Sequence, residues 1–279
     1  METFGERGRF DGQRVVVTGC ASGIGASVVA ELRRLGARVV GLDLRRRDGH
    51  DGPDEFLEMD QGDPASVDAA VAKIGAPVDA LFNVAGVSSG IGDPLRVVAV
   101  NFLGLRQFTE ALVAGMAPGS AVVSVSSLAA SAYHENRWDT RGLLDTTSFA
   151  EGLDWCRKNE NIVADGGGYR LSKEALILYT MRRSVELAAA GIRINCTGPG
   201  VTETPILGQL RTAYGPHYLD GIPKPLGRSA DPGEQAAALL FLNSRAAAYI
   251  TGQVLWVDGG NLAARLASEL AGPAPATRQ

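Results

Sequence analysis

The sequence predicts an α/β protein built on one doubly wound parallel sheet of about seven strands, with helices on both faces. Short β-branched runs alternate with helical patterns along the chain, which is typical of this fold class. The 35 glycines among 279 residues exceed an average share of roughly 7% and cluster where strands pass into helices. There is no internal repeat, so we expect a single domain over residues 1–279.

The balance of acidic and basic residues indicates which classes of macromolecule the protein could bind. A formal net charge of -4 and a pI of about 5.5 leave no basic surplus, and Arg45 to Arg47 form the only dense basic run. The sequence therefore predicts no nucleic-acid partner. No apolar stretch reaches the roughly 18 residues of a membrane span, and residues 1–12 are too polar for a signal peptide. We expect a cytoplasmic protein without a membrane partner.

The cysteines and histidines are scattered singly, without metal-ligand spacing or an obvious disulfide framework. They are Cys20, Cys156, Cys196, His50, His134 and His217. We expect reduced, structural cysteines and no metal site.

The first strand, Arg14 to Thr18, runs into a glycine turn, and a helix follows to about Leu35. Glycines let the backbone turn sharply and let a pyrophosphate approach the helix N-terminus, where free N–H groups attract anions. The candidate residues of this turn are Gly19, Ser22, Gly23, Ile24 and Gly25.

A second strand, Arg38 to Leu42, ends at Asp43, 18 residues beyond Gly25. A carboxylate there would bind an adenosine ribose and repel a 2'-phosphate, which predicts NAD as the cofactor. Arg45 to Arg47 lie close enough to leave NADP as the alternative, although a surface arginine run is more often simply solvated.

The next two strands add further cofactor candidates. Phe56 to Asp60 predicts a third strand with Asp60 placed to meet an adenine and Gln61 beside it, and a helix follows over Pro64 to Ile74 with Asp63 as N-cap. Ala80 to Gly86 predicts a fourth strand that ends in small residues, where a ligand can approach the backbone. A plain tight turn is the alternative there. The candidates are Asn83, Ala85 and Gly86.

A long helical pattern from Pro94 to Met116 contains Asn101, a poor helix former whose presence indicates another role. The fifth strand, Ser120 to Ser127, ends in two hydroxyls at the edge where ligands bind in open α/β sheets. Turn formation is the alternative explanation of this serine pair.

Tyr169 and Lys173 stand four residues apart at the start of an apolar helical run, so they share one helix face. A nearby ammonium favours the phenolate, which predicts a lowered tyrosine pKa. To act as a base near pH 7 the phenol needs a pKa lowered by roughly three units, about 4 kcal/mol. A second positive charge, such as an oxidised nicotinamide, would help. The alternative is a chance spacing.

The remaining chain continues the alternation. Ile192 to Cys196 predicts a sixth strand leading to Pro199, with Thr202 and Thr204 after it. A stretch punctuated by Gly and Pro, about residues 204–224, is expected to be an irregular, mobile substrate lid. The last elements are a helix opened by Asp231 and ending at Asn243, a strand over Gln253 to Val257, and a short helix over Asn261 to Leu270.

Taken in order, these motifs resemble the motif set of the short-chain dehydrogenase/reductases over about residues 10–260. They are Thr18 to Gly25, Asn83 to Gly86, Asn101, Ser126 and Ser127, Tyr169 to Lys173, Pro199 and Gly200, and Val257 to Gly260. The resemblance implies a Rossmann-type fold, a nicotinamide dinucleotide and a homodimer or homotetramer. It also assigns the roles of the candidate residues.

The implied catalytic residues are Asn101, Ser127, Tyr169 and Lys173. Tyr169 would be the acid/base, and Lys173 would lower its pKa and bind the nicotinamide ribose. Ser127, with Ser126 as the alternative, would polarise the substrate oxygen. Asn101 would hold a water in a proton relay to Lys173. Two of the catalytic residues, Tyr169 and Lys173, are also implied to bind the cofactor. The other implied cofactor-binding residues are Gly19, Ser22, Gly23, Ile24, Gly25, Asp43, Asp60, Gln61, Asn83, Ala85, Gly86, Pro199, Thr202 and Thr204.

One departure from the family pattern is an insertion of about residues 133–165, since 42 positions separate Ser127 from Tyr169. It contains Trp138 and a predicted helix from Phe149 to Lys158. It resembles the insertion of the subgroup that contains bacterial 3α-hydroxysteroid dehydrogenase/carbonyl reductase and the coniferyl-alcohol dehydrogenases. We expect it to form part of the pocket wall, the oligomer interface or both; a surface elaboration is the alternative.

The leading hypothesis is an NAD-dependent oxidoreductase that interconverts a secondary or benzylic/allylic alcohol and its carbonyl, on an apolar substrate such as a steroid or phenylpropanoid. Aromatic and aliphatic residues in the insertion and in the lid motivate this substrate class. Alternatives are an NADP-dependent carbonyl reductase and a non-catalytic dinucleotide-binding regulator. The intact catalytic set weighs against the regulator.

Overall fold

The computed structural model describes residues 3–46, 52–75 and 77–271. Within these residues, seven parallel strands form one sheet in the order β3-β2-β1-β4-β5-β6-β7. The strands are β1 (Arg14–Thr18), β2 (Arg38–Asp43), β3 (Glu55–Glu58), β4 (Ala80–Asn83), β5 (Ala121–Val125), β6 (Arg193–Pro199) and β7 (Val254–Val257).

The helices that connect the strands lie on both faces of the sheet. They are α1 (Phe4–Arg7), α2 (Gly23–Arg34), α3 (Pro64–Ile74), α4 (Pro94–Val98), α5 (Leu105–Val113), α6 (Arg137–Leu144), α7 (Phe149–Lys158), α8 (Glu160–Ala164), α9 (Tyr169–Ala189), α10 (Pro205–Tyr214), α11 (Pro232–Asn243) and α12 (Asn261–Ala271). The predicted fold class, a doubly wound parallel sheet of the Rossmann type, is confirmed.

The strand order reverses between β1 and β4, which pair in register from Val15 with Ala80 to Thr18 with Asn83. A crevice opens at such a switch point beyond the carboxyl ends of the strands, and ligands bind there in open α/β sheets. Alternate strand residues enter two separate cores. Val15 and Val17 pack with α2 and α11, whereas Val16 belongs to the core shared with α3, α5 and α9.

The insertion folds as α6, α7 and α8, which pack against α9, α4 and residues 99–104 between α4 and α5. Its buried residues Leu143, Cys156 and Val163 join the core on that side of the sheet. The Arg106 guanidinium, on α5, donates to the carbonyls of Thr146 (2.8 Å) and Ser148 (3.2 Å) in the insertion. The insertion is therefore anchored by burial and hydrogen bonds to the helices beside the sheet.

Three elements differ from the prediction. The helix expected over Pro94 to Met116 is interrupted by a π-helical segment, Ala99–Gly104, between α4 and α5. The lid, expected to be irregular, begins with α10. In addition to the predicted α7, the insertion forms α6 and α8. Pro205 occupies the first turn of α10, where proline is favoured because its missing N–H is not needed.

The three cysteines are buried and unpaired, and burial raises the thiol pKa to about 12 for Cys20, about 11 for Cys156 and about 12 for Cys196. They are unreactive at neutral pH. Among the described residues, no group of three or more His, Cys, Asp or Glu is arranged to hold a metal. No described helix is both long and apolar enough to span a membrane.

Candidate active site

The predicted catalytic residues meet beside the glycine of the β4 carboxyl end. A methyl group placed on Gly86 would lie 3.1 Å from Oδ1 of Asn101 and 3.5 Å from Nζ of Lys173. These residues come from three separate segments, so only the fold brings them together. Tyr169 is the first residue of α9, one turn before Lys173, whose Nζ lies 5.8 Å from the centre of the tyrosine ring.

Lys173 is buried, and its ammonium donates a 2.8 Å hydrogen bond to the carbonyl of Val125 at the end of β5. Burial lowers the pKa of Lys173 to about 8, because a charge is costly where water is excluded. The ammonium is thus held in place between the sheet and the first turns of α9.

The pKa of Tyr169 is raised in this structure, mainly because burial disfavours the phenolate, and a hydrogen bond from Ser127 opposes the increase. The direction corrects the expectation that Lys173 lowers this pKa. The ammonium donates to Val125 instead of the phenol oxygen, and the low polarity around Tyr169 dominates.

The two serines at the end of β5 have different partners. The Ser126 hydroxyl is buried and donates to the backbone carbonyl of Lys173 at 2.8 Å. The Ser127 hydroxyl accepts from the Ala129 N–H at 3.2 Å and is the hydroxyl that lowers the pKa of Tyr169 against the effect of burial. Ser127 is therefore the hydroxyl that accompanies the tyrosine.

Asn101 lies in the π-helical segment, fully buried. Its side chain accepts from the N–H of Val87 and donates to the same residue's carbonyl, both at 2.9 Å. Its amide is thus used to hold the strand exit after Gly86. A water held by Asn101, as predicted, would have the second lone pair of Oδ1 or the backbone carbonyl as its partner.

The glycine turn after β1 is shaped for a close ligand approach. Gly19 has a φ of 72°, and a methyl group there would come within 2.8 Å of the Ala85 backbone. A methyl group on Gly25 would overlap the Gly19 carbonyl oxygen. Ser22 makes no capping bond to α2, and the first turn of α2 has no acidic residue. The helix dipole and the N–H groups of this terminus therefore suit a phosphate.

Asp43 lies at the carboxyl end of β2, beside this turn. Its carboxylate accepts from the N–H of Ala21 at 2.9 Å and from the N–H of Leu44 at 2.8 Å. The two bonds fix a negative group at the edge of the crevice. The residues present thus fit a dinucleotide, with its phosphates at α2 and its ribose hydroxyls at Asp43.

Comparison with known proteins agrees with this geometry. Residues 13–137 match the family model described as short chain dehydrogenase, and residues 157–261 match the one described as Enoyl-(Acyl carrier protein) reductase. A coniferyl-alcohol dehydrogenase of Pseudomonas sp. strain HR199 is 34% identical over 249 residues, 89% of this chain and 96% of that protein. The chain belongs to the short-chain dehydrogenase family.

Two further matches involve hydroxysteroid dehydrogenases. The 3-alpha-hydroxysteroid dehydrogenase/carbonyl reductase of Comamonas testosteroni is 32% identical to this short-chain dehydrogenase, with 88% of this chain and 95% of that protein covered. The crystal structure of the 3-alpha-hydroxysteroid dehydrogenase from Pseudomonas sp. B-0831 complexed with NADH superposes with a TM-score of 0.77, at 30% identity over 92% of this chain and 99% of that one. The protein is an oxidoreductase that acts on alcohol groups, and its family binds nicotinamide dinucleotides.

Some predicted cofactor residues of this short-chain dehydrogenase use their side chains for other contacts. The Asp60 carboxylate forms a 2.6 Å ion pair with Arg96, and the Gln61 amide donates to the Val100 carbonyl at 2.8 Å. The Asn83 amide donates to Thr109 and Ser124, at 2.9 and 3.2 Å. The Asp60 carboxylate is therefore already paired, whereas the buried side-chain oxygens of Gln61 and Asn83 have no hydrogen-bond partner among the described residues.

The segment after β6 reaches back over the glycine turn. Pro199 ends β6, and the buried Thr202 donates to the Gly200 carbonyl at 3.1 Å. A methyl group on Gly23 would lie 3.1 Å from the methyl carbon of Thr204. Thr204, one of the two predicted nicotinamide residues, thus lies against the glycine turn that follows β1.

Sequence reasoning missed Arg96, which neutralises Asp60, and Val87, whose backbone binds Asn101. Arg96 stands in the first turns of α4, where an arginine reads as an ordinary solvated residue. Neither residue carries a signal in sequence alone.

Proposed function

We propose that this protein is an NAD-dependent oxidoreductase that interconverts a secondary or benzylic/allylic alcohol and its carbonyl. The observation that carries the proposal is the convergence of the Tyr169 phenol, the Ser127 hydroxyl beside it and the Lys173 ammonium one helical turn away, next to Gly86 at the edge of the crevice. A fixed hydroxyl donor next to a phenolic acid/base is the arrangement needed to handle an alcohol oxygen.

In the proposed oxidation, Tyr169 as phenolate accepts the proton of the substrate hydroxyl. Ser127 donates a hydrogen bond to the same oxygen and stabilises the charge that develops on it. Burial raises the pKa of Tyr169, so the phenolate would need the positive charge of Lys173, 5.8 Å from the ring centre, together with that of a bound oxidised nicotinamide. The bound nicotinamide supplies the acceptor of the hydride that leaves the substrate carbon. In reduction, Tyr169 returns the proton, and its raised pKa keeps it protonated for that step.

The proposed substrate is apolar, either a hydroxysteroid or an aryl or allylic alcohol. The similar proteins named for coniferyl alcohol and for 3-alpha-hydroxysteroids support this class. The insertion supports it less than expected from sequence, since its buried aliphatic residues pack into the helical core and Trp138 is 64% exposed.

Asp43 supports NAD over NADP, because a carboxylate held at the ribose end repels a 2'-phosphate. The similar steroid dehydrogenase was solved with NADH. The second candidate is an NADP-dependent carbonyl reductase, favoured by the exposed Arg45 and Arg46; Arg47 lies outside the described residues.

The test is to measure reduction of NAD and, separately, of NADP with a panel of hydroxysteroids and aryl and allylic alcohols. We expect turnover with a lower KM for NAD, and we expect Tyr169→Phe to abolish turnover while NAD still binds. A lower KM for NADP would favour the second candidate. Tight NAD binding without turnover of any substrate would favour the non-catalytic regulator. Turnover by Tyr169→Phe would contradict the role of the tyrosine.

We also propose a cytoplasmic homodimer or homotetramer. Helix α6 of the insertion packs on α9, so an interface on that face of α9 would include the insertion. Sedimentation of the intact protein and of a variant with a charge at the exposed Trp138 would show whether this surface takes part; an unchanged assembly would place the interface elsewhere.

A further inference from the structure

Both ends of the insertion meet the first turns of α9, the helix that begins with Tyr169. Asn136 stands at the start of the insertion, just before α6, and Asp165 stands at its end, just after α8. The side chains of Arg170 and Glu174, four residues apart on α9, contact these two ends.

The contacts are short, and Glu174 at their centre is buried. Glu174, with a side chain 0% exposed, accepts from Nδ2 of Asn136 at 2.7 Å and from Nη1 of Arg170 at 2.7 Å. Nη2 of Arg170 donates to the Asp165 carboxylate at 2.6 Å. Asn136 makes no capping bond to its own helix and uses its amide on Glu174 instead. The Arg170–Glu174 pair therefore joins both ends of the insertion to one turn of α9.

The start of α9 lacks the usual means of fixing a helix terminus. The residue before Tyr169 is Gly168, which offers no side-chain cap, and it follows Gly166 and Gly167. All three glycines have φ between 61° and 75°. Glycine is the most flexible residue, and an uncapped helix end frays. Other side-chain bonds of this turn lie on the side that faces the sheet: Ser126 donates to the Lys173 carbonyl and Asn101 to the Ser172 hydroxyl, which itself donates to the Tyr169 carbonyl at 2.8 Å.

Burying the charged carboxylate of Glu174 costs free energy, so its presence beside α6 requires an explanation. Burial raises the pKa of Glu174, Asp139 of α6 raises it further, and Arg170 and Asn136 oppose the increase. An apolar residue would avoid the cost of burying the charge. Glu174 contacts none of the proposed reacting groups in the structure; what it contacts is the insertion.

We propose that Arg170 and Glu174 are positioning residues that hold the Tyr169 turn of α9 against the two ends of the insertion. The insertion thereby sets the placement of the tyrosine, although it is not itself part of the catalytic group. This inference rests on the proposed function for its effect on turnover, and on the structure alone for its effect on the order of the helix.

The experiment compares three variants, Glu174→Gln, Arg170→Met and the double variant that combines them, with the control variant Arg182→Met. Arg182 is a matched control, since it also pairs α9 with the insertion, through Asp145 at 2.9 Å, but lies more than three turns beyond Tyr169. We measure kcat, substrate KM, the Kd of NAD and hydrogen exchange of the first turns of α9.

We expect kcat to fall on the order of 10-fold in Glu174→Gln and Arg170→Met, because small displacements of a catalytic group are costly. The Kd of NAD and the substrate KM should each stay within about twofold of the values of the unmodified protein. This is a small change in free energy, since a tenfold change corresponds to about 1.4 kcal/mol. The double variant should be no worse than the poorer single one, since both break one network. Exchange at the start of α9 should become faster, and Arg182→Met should change neither kcat nor that exchange.

Unchanged kcat and unchanged exchange in Glu174→Gln would overturn the proposal, as would an equal loss of kcat in Arg182→Met. If Arg170→Met does not fold, Arg170→Lys replaces it, because a lysine keeps the charge but cannot bridge Glu174 and Asp165. If the unmodified protein turns over no substrate, the proposed function fails, and the exchange measurement still decides whether the pair orders the helix.

Discussion

Ser126 and Ser127 are neighbours in the chain, and they differ only in what their hydroxyls contact. The sequence named both as candidates, with Ser127 favoured by resemblance. The choice depends on side-chain directions beyond the end of a strand, where the alternation of the strand no longer applies. The Ser126 hydroxyl donates to the backbone carbonyl of Lys173, and the spacing of these residues in the sequence does not predict this contact.

The serine pair gives a test with a built-in control. Ser127→Ala should lower kcat by about 10²- to 10³-fold, the usual effect of removing one oxyanion donor. Ser126→Ala should cost about 1 kcal/mol of unfolding free energy, the worth of one hydrogen bond, with a small effect on kcat. Steady-state kinetics and urea unfolding separate the two effects; a larger loss of kcat in Ser126→Ala would reverse the assignment.

Lys173 makes stability depend on pH in a defined direction. Its pKa is about 8 in the folded protein against an ordinary value of 10.5. Below pH 8 both states carry the proton, and the folded state bears the whole cost of the buried charge. Between pH 8 and 10.5 the unfolded chain binds more protons than the folded one, so stability rises with pH, by on the order of 3 kcal/mol in total.

Comparing the protein with Lys173→Met isolates this contribution, because every other titrating group is common to both. The unfolding free energy of the unmodified protein should increase relative to that of the variant as pH rises from 8 to 10.5. Urea unfolding at several pH values measures the difference. A constant or shrinking difference would mean that the ammonium is not buried as described.

Among the elements, the glycine run before α9 shows how local chemistry and packing combine. A methyl group on Gly168 would overlap the Pro94 carbonyl oxygen, whereas one on Gly92 would meet nothing within 4 Å. The two have nearly the same φ, 75° and 73°. Gly92→Ala therefore reports backbone strain alone, and Gly168→Ala adds a steric conflict.

We expect Gly92→Ala to lose about 1 kcal/mol of unfolding free energy and Gly168→Ala about 3 kcal/mol. Because Gly168 directly precedes Tyr169, its variant should also lose kcat, and Gly92→Ala should not. Thermal unfolding and kinetics on the same preparations provide both numbers. Equal losses of stability would contradict the close approach to Pro94.

Sequence patterns recovered the long elements and missed the short or irregular ones. Helix α3 and the helix from Phe149 to Lys158 have the predicted bounds, since a proline or serine start and a clear apolar face mark them. Helices α6 and α8 are short, and tertiary contacts stabilise them. The π-helical segment has no sequence signature beyond the unusual Asn101.

For the whole molecule, the alternation of strands and helices was enough to predict the sheet, because parallel strands need crossover helices. The position of the insertion was not predictable. Its apolar residues could have faced the substrate, a partner subunit or the helices of its own chain, and periodicity does not distinguish these. The structure places Leu143 in the main core.

Burial of Leu143 predicts that the insertion unfolds together with the sheet. Leu143→Ala should lower the unfolding free energy by about 2–5 kcal/mol, as for other buried leucines. The control, Trp138→Ala at a 64% exposed site, should cost no more than about 1 kcal/mol. Tryptophan fluorescence, from Trp155 in the insertion and Trp256 in the sheet, should follow the same transition as circular dichroism. Separate transitions would mean that the insertion is an independent unit.

The π-helical segment has one more consequence. The Gln61 amide bonds to the Val100 carbonyl, and Gly104 lies so close to Gln61 that a methyl group would overlap its carbonyl oxygen. Asn101, the residue after Val100, holds Val87 beside Gly86 and Lys173. One widened turn of helix thus connects the segment after β3 with the segment after β4 through two neighbouring residues.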